Sequence, residues 1–255
     1  MQVMSAVIVI PARYDSTRFP GKPLAPLRGK PVIQHVYENS RGASSVDDVI
    51  VATDSETIFE RVLSFGGKAV MTSRDHASGT DRIAEVAGSL RCDIIVNVQA
   101  DEPLIGPQLI EDAISLLADE RADIGTLVQA IHKPEEVMDP NAVKAVFGRN
   151  GFALYFSRAP IPYHRDEWKD LSAFSVQRLP FNVFKHIGIY AYKRNVLLTL
   201  AGMKTSKNEE IEKLEQLRAL ENGFRIKVKE TLSETIGVDT PQDLERVERW
   251  LSLSL

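Results

Sequence analysis

The chain has 255 residues, 44% of them hydrophobic, enough for one large α/β domain or two small ones with full cores. Its net charge of −4 argues against non-specific nucleic-acid binding, so any basic cluster has to act locally. A single cysteine, Cys92, excludes an internal disulfide and a thiolate metal cluster, and reads as a small filler beside a strand. The first apolar run, VMSAVIVI, is too short to span a membrane and lacks a basic flank and a cleavage pattern. No membrane segment or signal peptide is expected, and the expected location is the cytoplasm.

Short apolar runs alternate with amphipathic stretches through the first half. AVIVI (6–10), DVIVA (48–52), KAVM (68–71), DIIVNV (93–98) and IGTLVQA (124–130) read as strands. Between them, 31–41, 54–65, 80–89 and 107–118 carry helical spacing, as in Ile58, Val62 and Phe65. This alternation predicts a doubly wound, mostly parallel sheet. Residues 134–192 change character: two-faced strands surround a segment rich in proline and charge, which reads as an antiparallel arm or lobe inserted into a single domain spanning 1–255. Two helical stretches follow, 208–223 and 240–251, with a strand GFRIKVKE (223–230) between them. There is no repeat and no low-complexity tract.

The first strand runs into IPARYDSTRFPGKPL, a loop with Arg13, Arg18 and Lys22 against one acid. It is not a Walker A motif: Lys22 is followed by Pro23 rather than Ser or Thr, and two prolines remove backbone donors. It is not a dinucleotide fingerprint either, since Gly21 stands alone. What remains is an irregular loop of guanidinium and ammonium groups at the carboxyl end of a strand, where doubly wound sheets bind ligands and where such groups grip phosphate oxygens. A solvated loop with scattered charges is the alternative.

Other loops at that edge carry matching chemistry. TSRDHASGTDR (72–82) is rich in hydroxyls and small residues suited to a base or sugar. In NVQADEP, Asp101 follows a buried strand directly, where a carboxylate can hold a hard divalent ion beside phosphates; Mg2+ takes one or two carboxylates, phosphate oxygens and water. In GVDTPQDLERV, Asp239 precedes a helix start with Thr240 as N-cap and Pro241 in the first turn. Asp239 is therefore either a metal ligand or a charge complementing the helix dipole.

The motifs IPARYDSTRFPGKPL, VATDS, SGTDRIAEV, VNVQADEP, DPNAVKAV, ALYFSRAPIP, KHIGIYAY, LEQLRAL and VDTPQDLERV occur in the order seen in 3-deoxy-manno-octulosonate (Kdo) cytidylyltransferases. The chain resembles that family over about residues 6–250. The resemblance implies a nucleotide-diphospho-sugar transferase-like fold and a Mg2+-dependent reaction of lipopolysaccharide synthesis. In it, the anomeric hydroxyl of Kdo attacks the α-phosphate of CTP to give CMP-Kdo and pyrophosphate. It further implies a homodimer, with the 134–192 lobe serving dimerisation and sugar binding. Carried onto this sequence, Pro11, Ala12, Arg13, Arg18, Lys22, Ser78, Gly79 and Gln99 would bind the nucleotide. Asp101 and Asp239 would hold the metal, and Arg18, Lys22, Asp101 and Asp239 would carry catalysis. Gln99, Arg158, Arg165, His186, Tyr190, Glu215 and Gln216 would line the sugar pocket.

Two departures from the family pattern stand out: Ala100 replaces the usual glycine before Asp101, and the familiar arginine of the 72–78 loop comes one position later, as Arg74. An amino-substituted Kdo analogue remains an alternative substrate. A nucleotide-sugar glycosyltransferase would want Asp-X-Asp where this chain has adjacent acids, and a non-catalytic nucleotide-binding protein would need the basic loop but not both acids.

The residues themselves add two points. In HIGIYAY, even spacing puts His186, Gly188 and Tyr190 on one face and Ile187, Ile189 and Ala191 toward the core. In EIEKLEQLRAL, a continuous helix would bury Ile211, Leu214, Leu217 and Leu220 and leave Glu215 and Gln216 at the rim of that stripe, equally compatible with a surface-charge role. His35 reads as a capping or surface residue, and His76, His132 and His164 have no metal-ligand spacing.

Overall fold

Strand β1 (Ala6–Ala12) lies at the centre of a sheet with both faces buried, because each of its alternating side chains meets helices. The computed structural model describes residues 4–15, 19–76, 78–165, 182–233 and 235–253. After β1 come the two-residue strands β2 (Pro26–Leu27) and β3 (Lys30–Pro31), then α1 (Val32–Arg41), β4 (Asp48–Thr53), α2 (Glu56–Ser64) and β5 (Ala69–Met71). Next are α3 (Gly79–Ser89), β6 (Ile94–Asn97), α4 (Pro107–Ser115), β7 (Ile124–Ala130) and α5 (Pro134–Met138). The hairpin β8 (Lys144–Phe147) and β9 (Ala153–Ser157) leads to β10 (Phe184–Lys193) and α6 (Arg194–Ala201). The chain closes with α7 (Lys207–Glu212), α8 (Gln216–Glu221), β11 (Ile226–Glu230) and α9 (Pro241–Leu253).

The sheet order is β11-β7-β10-β6-β1-β4-β5. Pairs β1–β4, β1–β6, β4–β5 and β7–β11 are parallel, as the alternation of strands and helices predicts. Ile8, Ile10, Val49 and Val51 pack with Ile33, Val36 and Ile58 on one face; Val7, Val9 and Ile50 pack with Ile83 and Ala87 on the other. All these side chains are at least nine-tenths buried.

Strand β10 gives the fold its one antiparallel strand at the centre. It runs between β6 and β7, pairing Tyr190 with Asn97 on one side and His186 with Val128 on the other. Of the 134–192 stretch, then, the hairpin β8–β9 hangs off the sheet through the start of β10, while most of β10 belongs to the main sheet. The register along β7 shifts between Ile187 and Tyr190. Thr126 fills the gap, its hydroxyl donating to the Ile189 carbonyl at 2.7 Å. The two faces of β10 nonetheless divide as expected: Ile187, Ile189 and Ala191 join one core layer, Tyr190 and Tyr192 the other.

One expectation is corrected. The 208–223 stretch is not a continuous helix: Lys213 adopts a left-handed conformation (φ 53°), ending α7 and separating it from α8. Ile211, expected in the buried stripe, is 79% exposed, because the break rotates α7 away from the stripe that Leu214 and Leu217 keep. Arg218 of α8 clamps Glu209 of α7 through two hydrogen bonds of 2.8 and 2.6 Å. Such a bidentate charged pair, itself buried, fixes the angle across the break.

Candidate active site

The carboxyl ends of β1 and β6 converge on Lys22. Gly21 takes φ 70°, a conformation that suits glycine, and donates its N–H to the Tyr14 carbonyl at 2.9 Å. The loop thus folds back and a short 3-10 turn begins at Lys22. The Lys22 ammonium donates to Asp101 at 2.5 Å and to Asp239 at 3.0 Å. Asp239 reaches this point because the Val238 N–H bonds to the Asp101 carbonyl at 2.8 Å, laying the two segments side by side. Burial alone would lower the Lys22 pKa; the charges and hydrogen bonds of Asp101 and Asp239 outweigh it and hold the ammonium above the ordinary lysine value.

The reciprocal cap at the start of α9 does not use the Asp239 side chain, only its N–H, which donates to Asp243 Oδ2 at 3.3 Å. Thr240 Oγ1 accepts from the Asp243 N–H at 3.2 Å, and Asp243 Oδ2 accepts from the Thr240 N–H at 3.1 Å, a reciprocal cap. The Asp239 carboxylate lies instead against Lys22.

Two carboxylates brought to one ammonium suit a hard divalent ion. Their side chains are 30% and 43% exposed, which leaves room for the water and phosphate ligands that Mg2+ keeps. Among the described residues, no group of three or more His, Cys, Asp or Glu side chains could hold a metal, so a site here relies on this pair and on substrate oxygens.

Glu102, next to Asp101, is a feature the sequence reading passed over. Its Oε2 is buried without a hydrogen-bond partner. Burial, then the charges of Asp101 and Asp239, push its carboxyl up to about 8. A carboxyl whose folded pKa lies above its unfolded value of 4.5 binds its proton more tightly in the folded state. Stability is therefore lost as pH rises from about 4.5 to about 8 and is level above that. Glu102→Gln is expected to remove this loss, so that in metal-free buffer its denaturant midpoint gains on wild type between pH 5 and 8. Parallel curves for the two proteins would show that Glu102 carries no such proton.

Beside this site, a cavity of about 260 Å3 brings together Gly79, Gln99, His186, Tyr190, Glu215 and Gln216. Gly188 makes room there: a Cβ on it would sit 3.7 Å from Gln99 Cγ. A second cavity of about 410 Å3, lined by Glu102, Lys185 and Asp239, shares His186 and Gly188 with the first, so the acid pair and the polar pocket adjoin. Thr126 Oγ1, having donated to Ile189, accepts from His186 Nε2–H at 2.8 Å. Burial pushes the imidazole down to about 3, so the ring is neutral and keeps Nδ1 as an acceptor.

The remaining residues singled out in the sequence fall as follows. Pro11 and Ala12 end β1, and Pro11 Cγ lies 3.6 Å from where a Cβ on Gly79 would be. Arg13 donates to the His76 carbonyl at 3.0 Å, and Ser78 caps α3 in a capping box with Asp81. Arg18 lies outside the described residues. Arg165 is exposed and is not among the residues lining the 260 Å3 cavity.

Arg158 does not line that cavity either; it stands behind it. Its guanidinium donates to the carbonyls of Glu212 (2.6 Å), Pro140 (2.8 Å) and Lys213 (3.5 Å), at the break that presents Glu215 and Gln216 to the pocket. Sequence reasoning missed Thr126, a lone hydroxyl in a buried strand, and Tyr192, which also lines the cavity and shares a face with Tyr190 two positions before it.

The family described as cytidylyltransferase matches residues 7–231. A 3-deoxy-manno-octulosonate cytidylyltransferase of Geotalea daltonii is 56% identical over 247 residues, covering 96% of this chain and 97% of the relative. Another, of Geobacter metallireducens, is 54% identical and covers 98% of each chain. The solved structure of a CMP:2-keto-3-deoxy-manno-octonic acid synthetase complexed with CTP superposes with a TM-score of 0.89 at 44% identity, covering 98% of this chain and all of that one. With the basic loop, the acid pair and the polar pocket set at one sheet edge, these matches show that the chain belongs to the 3-deoxy-manno-octulosonate cytidylyltransferase family.

Proposed function

We infer that the protein couples CTP to Kdo, forming CMP-Kdo and pyrophosphate. The observation that carries this reading is the bridge from Lys22 to Asp101 and Asp239, with a polar cavity nearby that shares His186 and Gly188 with the cavity lined by Asp239. The sugar's anomeric oxygen forms a bond to the α-phosphorus, the bond from that phosphorus to the bridging oxygen of the β-phosphate breaks, and pyrophosphate departs. Such a transfer needs alignment and charge neutralisation more than a covalent nucleophile.

Arg13, Arg18 and Lys22 neutralise the triphosphate, beside Pro11, Ala12, Ser78 and Gly79. Asp101 and Asp239 hold a divalent ion, which we assign as Mg2+; when bound, it withdraws charge from the phosphoryl oxygens. Gln99, His186, Tyr190, Glu215 and Gln216 orient the sugar acid by hydrogen bonds. The neutral His186 accepts a hydrogen bond from a sugar hydroxyl at Nδ1, adding no charge beside the metal acids. A nucleoside triphosphate substrate supports a cytoplasmic location. We assign the β8–β9 hairpin, with Leu154 67% exposed, to a homodimer contact, which sedimentation of wild type against Leu154→Glu checks.

Pyrophosphate release on mixing CTP, Mg2+ and Kdo with the purified protein is the direct test. Folded protein that releases none removes the reading, and faster turnover of an amino-substituted Kdo reassigns the sugar. Within this scheme, Lys22→Ala is expected to raise KM for CTP. Arg158→Ala is expected to raise KM for the sugar acid, because it frees the Lys213 turn that presents Glu215 and Gln216. Steady-state kinetics with each substrate varied in turn separates the two; damage to the same KM in both variants contradicts a two-sided site.

A further inference from the structure

Arg82 is among the largest fully buried side chains of the protein, with no exposed surface at all. It sits in the first turn of α3, yet the cap of that helix is already made by Ser78 and Asp81. Burying a guanidinium is costly unless it is well paired, and an apolar side chain of similar volume would often serve stability better. The partners of Arg82 indicate what it does instead. Nη2 donates to Asp54 Oδ2 at 2.6 Å, just past the end of β4. Nη1 donates to the Thr72 hydroxyl and to the Ser73 carbonyl at 3.4 Å, just past the end of β5. Nε is buried without a partner, so stability alone has not optimised the group.

One helical turn on, Glu85 holds the same loop from outside. Its carboxylate accepts from the Ser73 N–H at 3.0 Å and pairs with the His76 ring. The His76 carbonyl in turn accepts from Arg13 at 3.0 Å. A continuous path of polar contacts thus runs from Asp54 through Arg82, Ser73, Glu85 and His76 to Arg13. The loop it spans ends in Ser78 and Gly79.

We propose that Arg82, locked to Asp54 and assisted by Glu85, is a positioning residue that sets CTP affinity by fixing the 73–76 segment and, through it, Arg13. It acts without touching the nucleotide. This rests on the nucleotide site assigned above. The sugar cavity takes Gly79 and Thr80 from the start of α3 but is otherwise lined from the end of β6, from β10 and from the Lys213 turn, so the effect is expected to fall first on the nucleotide side.

Arg82→Lys keeps the charge but loses the fork that reaches Asp54 and Thr72 together. It is expected to raise KM for CTP about tenfold, leaving kcat and the KM for Kdo within about twofold, as loss of uniform binding does. Glu85→Gln, on a half-exposed side chain, is expected to shift the same constant about threefold in the same direction. CTP titration by calorimetry should show matching shifts. A fall in kcat with the CTP constants unchanged, an equal rise in the Kdo KM, or a lowered thermal midpoint with wild-type kinetics overturns the proposal. If Arg82→Lys does not fold, Glu85→Gln decides by the same criteria. Should wild type release no pyrophosphate, the functional reading fails by itself, and the calorimetric comparison still tests the loop.

Discussion

Asp101→Asn is expected to fold as wild type does, to bind CTP within a few-fold, and to lose turnover by at least about a hundredfold. The amide keeps the shape of the side chain and can still accept a hydrogen bond from Lys22, whose ammonium now lies 2.5 Å from the carboxylate. What it lacks is the anionic charge that would hold the proposed Mg2+ against competing water. A loss of a hundredfold corresponds to about 2.7 kcal/mol of transition-state stabilisation, within what a Lewis-acid metal supplies. Denaturant unfolding, CTP calorimetry and pyrophosphate release measure the three quantities separately. Near-wild-type turnover would remove Asp101 from the metal site, and a collapsed unfolding midpoint would recast it as a structural partner of Lys22.

Lys22 itself occupies the position between the acids that a cation is expected to hold. Two carboxylates at one sheet edge would repel each other without it, and its raised pKa reflects that environment. When triphosphate arrives, the same ammonium has a second set of oxygens to pair with. The residue is therefore suited to neutralise the acids before substrate binds and the phosphates afterwards, which is why its loss should weigh on the KM for CTP first.

The parallel part of the sheet was legible because burial on both faces turns a strand into an uninterrupted apolar run between turn residues. AVIVI is such a run, and β1 begins at its first residue. Asp101 was legible for a topological reason: an acid directly after a buried strand lies at the ligand edge of a doubly wound sheet. The place of β10 was not, since the sequence of a strand does not name its neighbours. KHIGIYAY reads equally well as part of a peripheral arm, and only the slot between β6 and β7 makes it central. The break at Lys213 was hidden too: a glycine at φ 53° would have signalled it, whereas a lysine there carries no local signature. It takes Arg158, from a distant strand end, to bond the carbonyls at that turn. The same break moves Glu215 and Gln216 from the rim of an amphipathic helix into the pocket.

Asp239→Ala is expected to abolish most turnover while barely changing stability. As a charge before a helix start, the carboxylate contributes about 0.3–1 kcal/mol at most. Here even that role is largely taken by Thr240 and Asp243, which cap α9 between themselves. Its ion pair with Lys22 adds little to stability, because the side chain is 43% exposed and such pairs are worth about 0–1 kcal/mol. As one of two carboxylates holding a single metal, its loss should instead match that of Asp101. The double variant Asp101→Asn/Asp239→Ala should then be barely worse than either alone, since residues that act as one unit are strongly non-additive. Denaturant midpoint and turnover, both at saturating Mg2+, decide the matter. An Asp239→Ala protein with a lowered midpoint and near-normal turnover would leave Asp239 as a structural residue and the metal with Asp101 alone. Independent, multiplying losses in the double variant would mean that the two acids serve different steps.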